Sequence, residues 1–203
     1  MLLNRCAVAA LTLVVTVAVA GCSDDPDAPA AAPSATQPVK ATAKGTFVPV
    51  ASAPADAKAL LYEPSAVQGS PSADLTLISG KGRTMESLVV TGFDPKRRYG
   101  AHLHAEPCGK DPSAAGPHFQ HHPDPKASRS PSTDPSYANP HNEAWLDFTT
   151  DASGRGEATA EQDWELTPDH RPNSLVIHAD PTSTSPGSAG TAGSRVACLT
   201  ITY

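Results

Sequence analysis

Eight histidines occur among the 203 residues of this chain, and two of them stand one residue apart in GAHLHAEPCG, residues 100–109. On an extended strand residues i and i+2 share a face, so His102 and His104 converge on one side while Leu103 turns to the other. That is the geometry of a metal chelate. His118 follows in AGPHF at the start of a long loop, and His178 closes the apolar run SLVIH just before another loop. Arg195 then precedes Cys198 by three residues in GSRVAC. A lone histidine is usually a satisfied core or surface residue. Together and in this order, the four histidines and the arginine are a stronger signal than any one of them. The rest of the chain must bring them together.

The elements available for this are strands. AKALLYEP, ADLTLISG, TMESLVVTGF, YGAHLHAE, EAWLDFTTD, GEATAEQDW, NSLVIHAD and RVACLTITY each alternate or run apolar over a few residues and end in turn formers. No stretch carries a helical period with caps. Many short strands separated by Gly, Pro, Asp and Asn predict an all-β antiparallel sandwich or barrel. Two segments interrupt the rhythm, residues 109–140 and 179–194. Long loops in a compact domain are usually functional, and both are bounded by the residues named above.

Residues 1–21 read as a secretory signal, with Arg5 ahead of an apolar run from Ala7 to Ala20. The run ends in VAGC, which resembles the bacterial lipobox and implies lipid on Cys22, with the mature protein anchored to a cell membrane outside the cytoplasm. Residues 22–45, rich in Pro, Ala, Ser and Thr, are expected to be a disordered tether. Residues 46–203 then form one domain with one core. The formal net charge is −6, and the segment before Thr46 carries as many cations as anions, so all of it sits on the domain. An acidic domain excludes nucleic acid as the expected partner. Of the four cysteines, Cys6 lies in the signal and Cys22 at the lipid site. Cys108 and Cys198 remain, either paired, as is usual outside the cytoplasm, or buried as free thiols.

The order H-x-H, G-P-H-F, V-x-H, G-S-R-x-x-C resembles the copper–zinc superoxide dismutase family over roughly residues 57–203. The resemblance implies an eight-stranded Greek-key β-barrel or sandwich, and superoxide as substrate. It implies His102, His104 and His178 as copper ligands, with His118 as the imidazolate bridging copper and zinc. It also implies Arg195 as the receptor for the anionic substrate, His118 as the group that passes a proton to it, and a Cys108–Cys198 disulfide pinning the first loop to the last strand.

The zinc half of the pattern departs from the family. Where a Gly-Asp-Leu-Gly segment is expected the chain reads NPHNEAWLDFTTDASG, with Glu143 and Ala144 in place of Gly-Asp when Gly154 is aligned with the family's turn glycine. His121, His122 and His141 are available to a second metal site, but not at the usual spacing. The chain therefore resembles the copper-only branch, in which copper is the cofactor, zinc is absent and a carboxylate supports the bridging imidazole. Glu143 is the first candidate for that carboxylate and Asp147 the second. The function expected is dismutation of superoxide to oxygen and hydrogen peroxide. The alternative is a copper-binding or copper-buffering lipoprotein of the same fold, to which Arg195 would contribute nothing.

Overall fold

The computed structural model describes residues 38–127 and 131–203. The signal, Cys22 and the tether through residue 37 lie outside the described residues. Among the described residues ten strands form in chain order: β1 (Val39–Thr46), β2 (Val48–Pro49), β3 (Ala59–Leu61), β4 (Val67–Gly80), β5 (Arg83–Phe93), β6 (Arg98–His104), β7 (Phe148–Thr149), β8 (Gly156–Gln162), β9 (Ser174–His178) and β10 (Arg195–Thr200). They make two sheets, ordered β1-β4-β5-β8 and β2-β3-β10-β9-β6-β7. Every pairing is antiparallel except β2 with β3. The expected all-β architecture forms as an open two-sheet sandwich rather than a closed barrel.

One boundary needs correction. Residues 39–45, assigned by composition to the tether, belong to β1, so the domain includes them and does not start at Thr46. VKATAKGT alternates, with Val39, Ala41 and Ala43 buried and Lys40, Thr42 and Lys44 exposed. The strand lies along β4 in unbroken register from Val39↔Ser79 to Thr46↔Ser72. Its inward residues are mostly alanines, which bury little apolar area, so the alternation is hidden inside an Ala/Thr-rich composition.

Between the sheets sits a continuous core that includes Leu75, Leu77, Leu88, Val90, Leu146, Leu175, Ile177 and Leu199. Phe93, Tyr99 and Phe148 close one part of it, with ring centroids 5.2–5.9 Å apart. The buried Tyr99 hydroxyl donates to the Ala66 carbonyl at 2.8 Å, which satisfies its polar end. On β6, Ala101 and Leu103 enter this core. His102 and His104 therefore face the other side of the sheet, beneath the two long loops.

Candidate metal centre

Three strands of one sheet set the site. In the β6–β9–β10 ladder His102 lies opposite Val176, and His178 lies between Gly100 on β6 and Arg195 on β10. Regular alternation back from Cys198 would turn Arg195 toward the core. A bulge between Arg195 and Ala197 prevents this: Ala197 pairs with Ile177 and Arg195 with His178, which leaves Val196 as the extra residue. Val196 packs in the core and Arg195 emerges on the histidine face. The first loop adds His118, bridged to His104 in an isolated antiparallel pair.

Together these elements place the ligand atoms of His102, His104, His118 and His178 within 4.8 Å of one another. All four side chains are buried, His102 and His104 completely. Burial holds three of them in the neutral form that ligates metals. It lowers His102 to about 4, with help from neighbouring His118, takes His104 well below its ordinary value, and lowers His178 to about 2.

Each ring has one nitrogen committed to an oxygen. His104 Nδ1 lies 3.0 Å from the Gly116 carbonyl and His178 Nδ1 lies 3.5 Å from that of Gly193. His118 Nδ1 donates to Glu143 Oε2 at 2.8 Å, and His102 Nε2 meets the Thr182 hydroxyl at 2.6 Å. One nitrogen per ring is left for the centre: Nε2 of His104, His118 and His178, and Nδ1 of His102. The Nε2 atoms of His104 and His178 are 3.4 Å apart. His102 Nδ1 is buried without a hydrogen-bond partner among the described residues. A buried orphan imidazole nitrogen beside three convergent ones fits a metal ion, and an all-nitrogen set of four suits copper.

Glu143 is 1% exposed and accepts three donors: His118 Nδ1 and Trp145 Nε1 at Oε2, 2.8 and 2.7 Å, and Gln120 Nε2 at Oε1, 2.7 Å. Burial pushes its carboxyl up, but the bonds from His118, Trp145 and Gln120 outweigh this and hold it below its ordinary value. Asp147 has no such contact with His118. It lies 3.6 Å from His102 Nε2 and bonds Thr182 instead.

The other histidines make no comparable cluster, although His121 and His122 have ring centroids 4.3 Å apart and His170 Nε2 lies 3.1 Å from the Gln120 carbonyl. His121 stacks flat on Trp164, with centroids 4.9 Å apart. His122 is exposed, and His141 is exposed with its carbonyl accepting from Trp164 Nε1. Among the described residues the four-histidine cluster is the one group of three or more ligand-type side chains within reach of a single ion. His121, His122 and His141 are not brought within reach of a single ion; Trp164 meets His121 through its ring and the His141 carbonyl through its indole N–H.

Arg195 is half-buried and donates to the carbonyls of Pro112 and Gly116, both at 2.6 Å. Those carbonyls belong to the segment that the disulfide between Cys108 and Cys198 ties to β10, Cα atoms 5.8 Å apart. Sequence reading missed Trp145, Gln120 and Thr182. The spacing Glu143-x-Trp145 was the one available signal, and nothing local marked Thr182.

A comparison with protein-family models matches residues 72–201 to copper/zinc superoxide dismutase. No curated protein sequence matches the chain. Among solved structures, the crystal structure of the clock protein EA4 superposes with a TM-score of 0.51 at 16% identity, covering 84% of this chain and 96% of that one. At that identity the likeness concerns the fold alone. The matched span contains the four clustered histidines, the disulfide and Arg195, and on that match the chain belongs to the copper/zinc superoxide dismutase family.

Proposed function

We propose that this chain is a copper-dependent superoxide dismutase, anchored by lipid on Cys22 outside the cytoplasm of a bacterial cell. The observation that carries the reading is the convergence of four buried imidazole nitrogens beside a guanidinium fixed at their rim. A buffer of copper needs the first and not the second.

His102, His104, His118 and His178 would hold the copper. Bound copper supplies one-electron exchange, so that one superoxide is oxidised to oxygen and another, taking up two protons, is reduced to hydrogen peroxide. Arg195 attracts the anion against the domain's own negative charge, and its two carbonyl contacts fix where the anion is received. Glu143 keeps the proton of His118 on Nδ1, so Nε2 faces the centre. With Nδ1–H kept on Glu143, His118 Nε2 would take a proton only when it is not holding the metal and would hand that proton to the reduced substrate, the Glu143 carboxylate balancing the imidazolium. Because Glu143 engages the nitrogen that a second metal would need, we propose copper without zinc.

The apolar run ending at Cys22 supports a place on the outer face of a membrane, and a disulfide suits that oxidising side. The test is elemental analysis of the copper-loaded full chain together with stopped-flow decay of superoxide. One copper per chain, little zinc and rapid decay are expected. Copper held without turnover would leave the copper-buffering lipoprotein. A Cys22→Ala chain that still partitions with membranes would refute the anchor.

A further inference from the structure

Three of the four clustered histidines turn Nε2 inward, and each has its outer nitrogen on a group that can only accept, a backbone carbonyl or a carboxylate. His102 is the exception. It must turn Nδ1 inward, and its outer partner is a hydroxyl, which can either donate or accept.

The surroundings of Thr182 remove that ambiguity. Its backbone N–H donates to Asp147 Oδ2 at 2.9 Å and its hydroxyl donates to Oδ1 at 2.7 Å. Oδ1 also accepts the Ala101 N–H at 3.1 Å. Both oxygens of Asp147 thus take backbone N–H groups, the pattern of a carboxylate. With its single proton given to Asp147, the Thr182 hydroxyl has only lone pairs to offer His102 Nε2, 2.6 Å away. That nitrogen must carry the proton, and Nδ1 keeps its lone pair. The buried Nδ1 without a partner is the consequence. Gly100 makes the approach possible, since a Cβ there would stand 3.0 Å from Thr182 Oγ1 and 2.6 Å from Ala192 Cβ.

We propose that Thr182, its proton committed to Asp147, selects the Nε2–H tautomer of His102 and so presents Nδ1 to the metal. The two are positioning residues, one on the second long loop and the other just before β7. The assignment rests on the metal-binding reading above, but not on turnover.

The experiment uses the full chain with Thr182→Val, which keeps the shape and removes the hydroxyl, and Thr182→Ser, which restores it. Long-range proton–nitrogen spectra of the metal-free protein read the His102 tautomer, and competition with a chelator reads copper affinity. Wild type and T182S should show Nε2–H alone. T182V should lose that preference and bind copper about 10–100-fold more weakly, the usual effect of removing a group that orients a ligand. Circular dichroism establishes that each variant is folded. Wild-type tautomer and affinity in T182V would overturn the proposal, as would a T182S chain that remains as weak as T182V. A chain that binds copper without dismuting superoxide would still report both quantities, so failure of the dismutase reading is distinguishable.

Discussion

Exchanging Glu143 for glutamine changes one group and removes one charge at a position 1% exposed, which makes the cost calculable. The carboxylate accepts His118 and Trp145 at one oxygen and Gln120 at the other, at 2.7–2.8 Å. A glutamine brings one oxygen, so its amino group must face a donor. If the oxygen serves His118 and Trp145, the amino group meets that of Gln120. Gln120 cannot simply turn over, because its own Oε1 accepts the Asp124 N–H at 2.9 Å. One buried donor is left unmatched, which costs about 1–3 kcal/mol, and the remaining bonds lose their charge assistance. We expect the metal-free E143Q chain to be about 3 kcal/mol less stable to urea at pH 7. Copper affinity should fall about 10–100-fold, since His118 loses its orienting partner. The acid response separates this from a packing defect. A carboxyl held below its ordinary value adds stability that is present above the unfolded value of 4.5 and lost as pH falls through the folded one. E143Q should lack that part of the acid transition. Wild-type stability and copper affinity in E143Q would refute the assignment of Glu143 as the carboxylate that holds His118.

Burial lowers His102 to about 4, His178 to about 2, and His104 well below 6.5, so beneath pH 6.5 the unfolded chain gains protons that the fold refuses. Each contributes a loss of about 1.4 kcal/mol per pH unit, and urea midpoints of the metal-free protein should drop steeply between pH 6.5 and 4; a flat profile contradicts the buried neutral cluster. Arg195→Leu should slow superoxide decay by about 10 to 10³-fold at low ionic strength and abolish its normal salt dependence, while elemental analysis still finds copper on the histidines. Unchanged rate and salt response would remove Arg195 from substrate capture. Replacing Cys108 and Cys198 by serine opens a bridge of sequence separation 90, which should cost about 2–5 kcal/mol in thermal or urea unfolding. An undiminished melting temperature would show that the bond does not constrain the fold.

Strand patterning made most of the sandwich legible, because β4, β5 and β10 announce their inward faces with Leu, Val and Phe. It failed at β1, where alanines carry the alternation and a neighbouring Pro/Ala tract gives the same composition. The pairing of His102 with His104 followed from strand geometry alone. Arg195 did not, since counting residues from Cys198 puts it on the wrong face, and only the bulge at Val196 turns it outward. Bulges depend on how a strand meets its neighbour, so a single strand's residues do not disclose them. The same limit explains Thr182: its partners, Asp147 and His102, are 35 and 80 residues away. Glu143 was legible only through the resemblance, as a carboxylate close to the expected zinc ligand.

The glycine of AGPHF carries as much of the site as the histidine two residues later. Gly116 adopts φ 70° and ψ −160°, backbone that only glycine holds without strain. A Cβ there would also stand 3.0 Å from Glu106 Cγ. In this conformation its carbonyl accepts both Arg195 Nη2 and His104 Nδ1. One backbone oxygen therefore fixes the group that receives the anion and a ring that faces the metal. The segment bearing it is anchored by the disulfide on one side and leads into His118 on the other. Displacing that carbonyl by an ångström would move the guanidinium and the imidazole together. Capture of the substrate and geometry of the ligands are thus not independent properties of this chain, and any change that loosens residues 108–117 should degrade both in parallel.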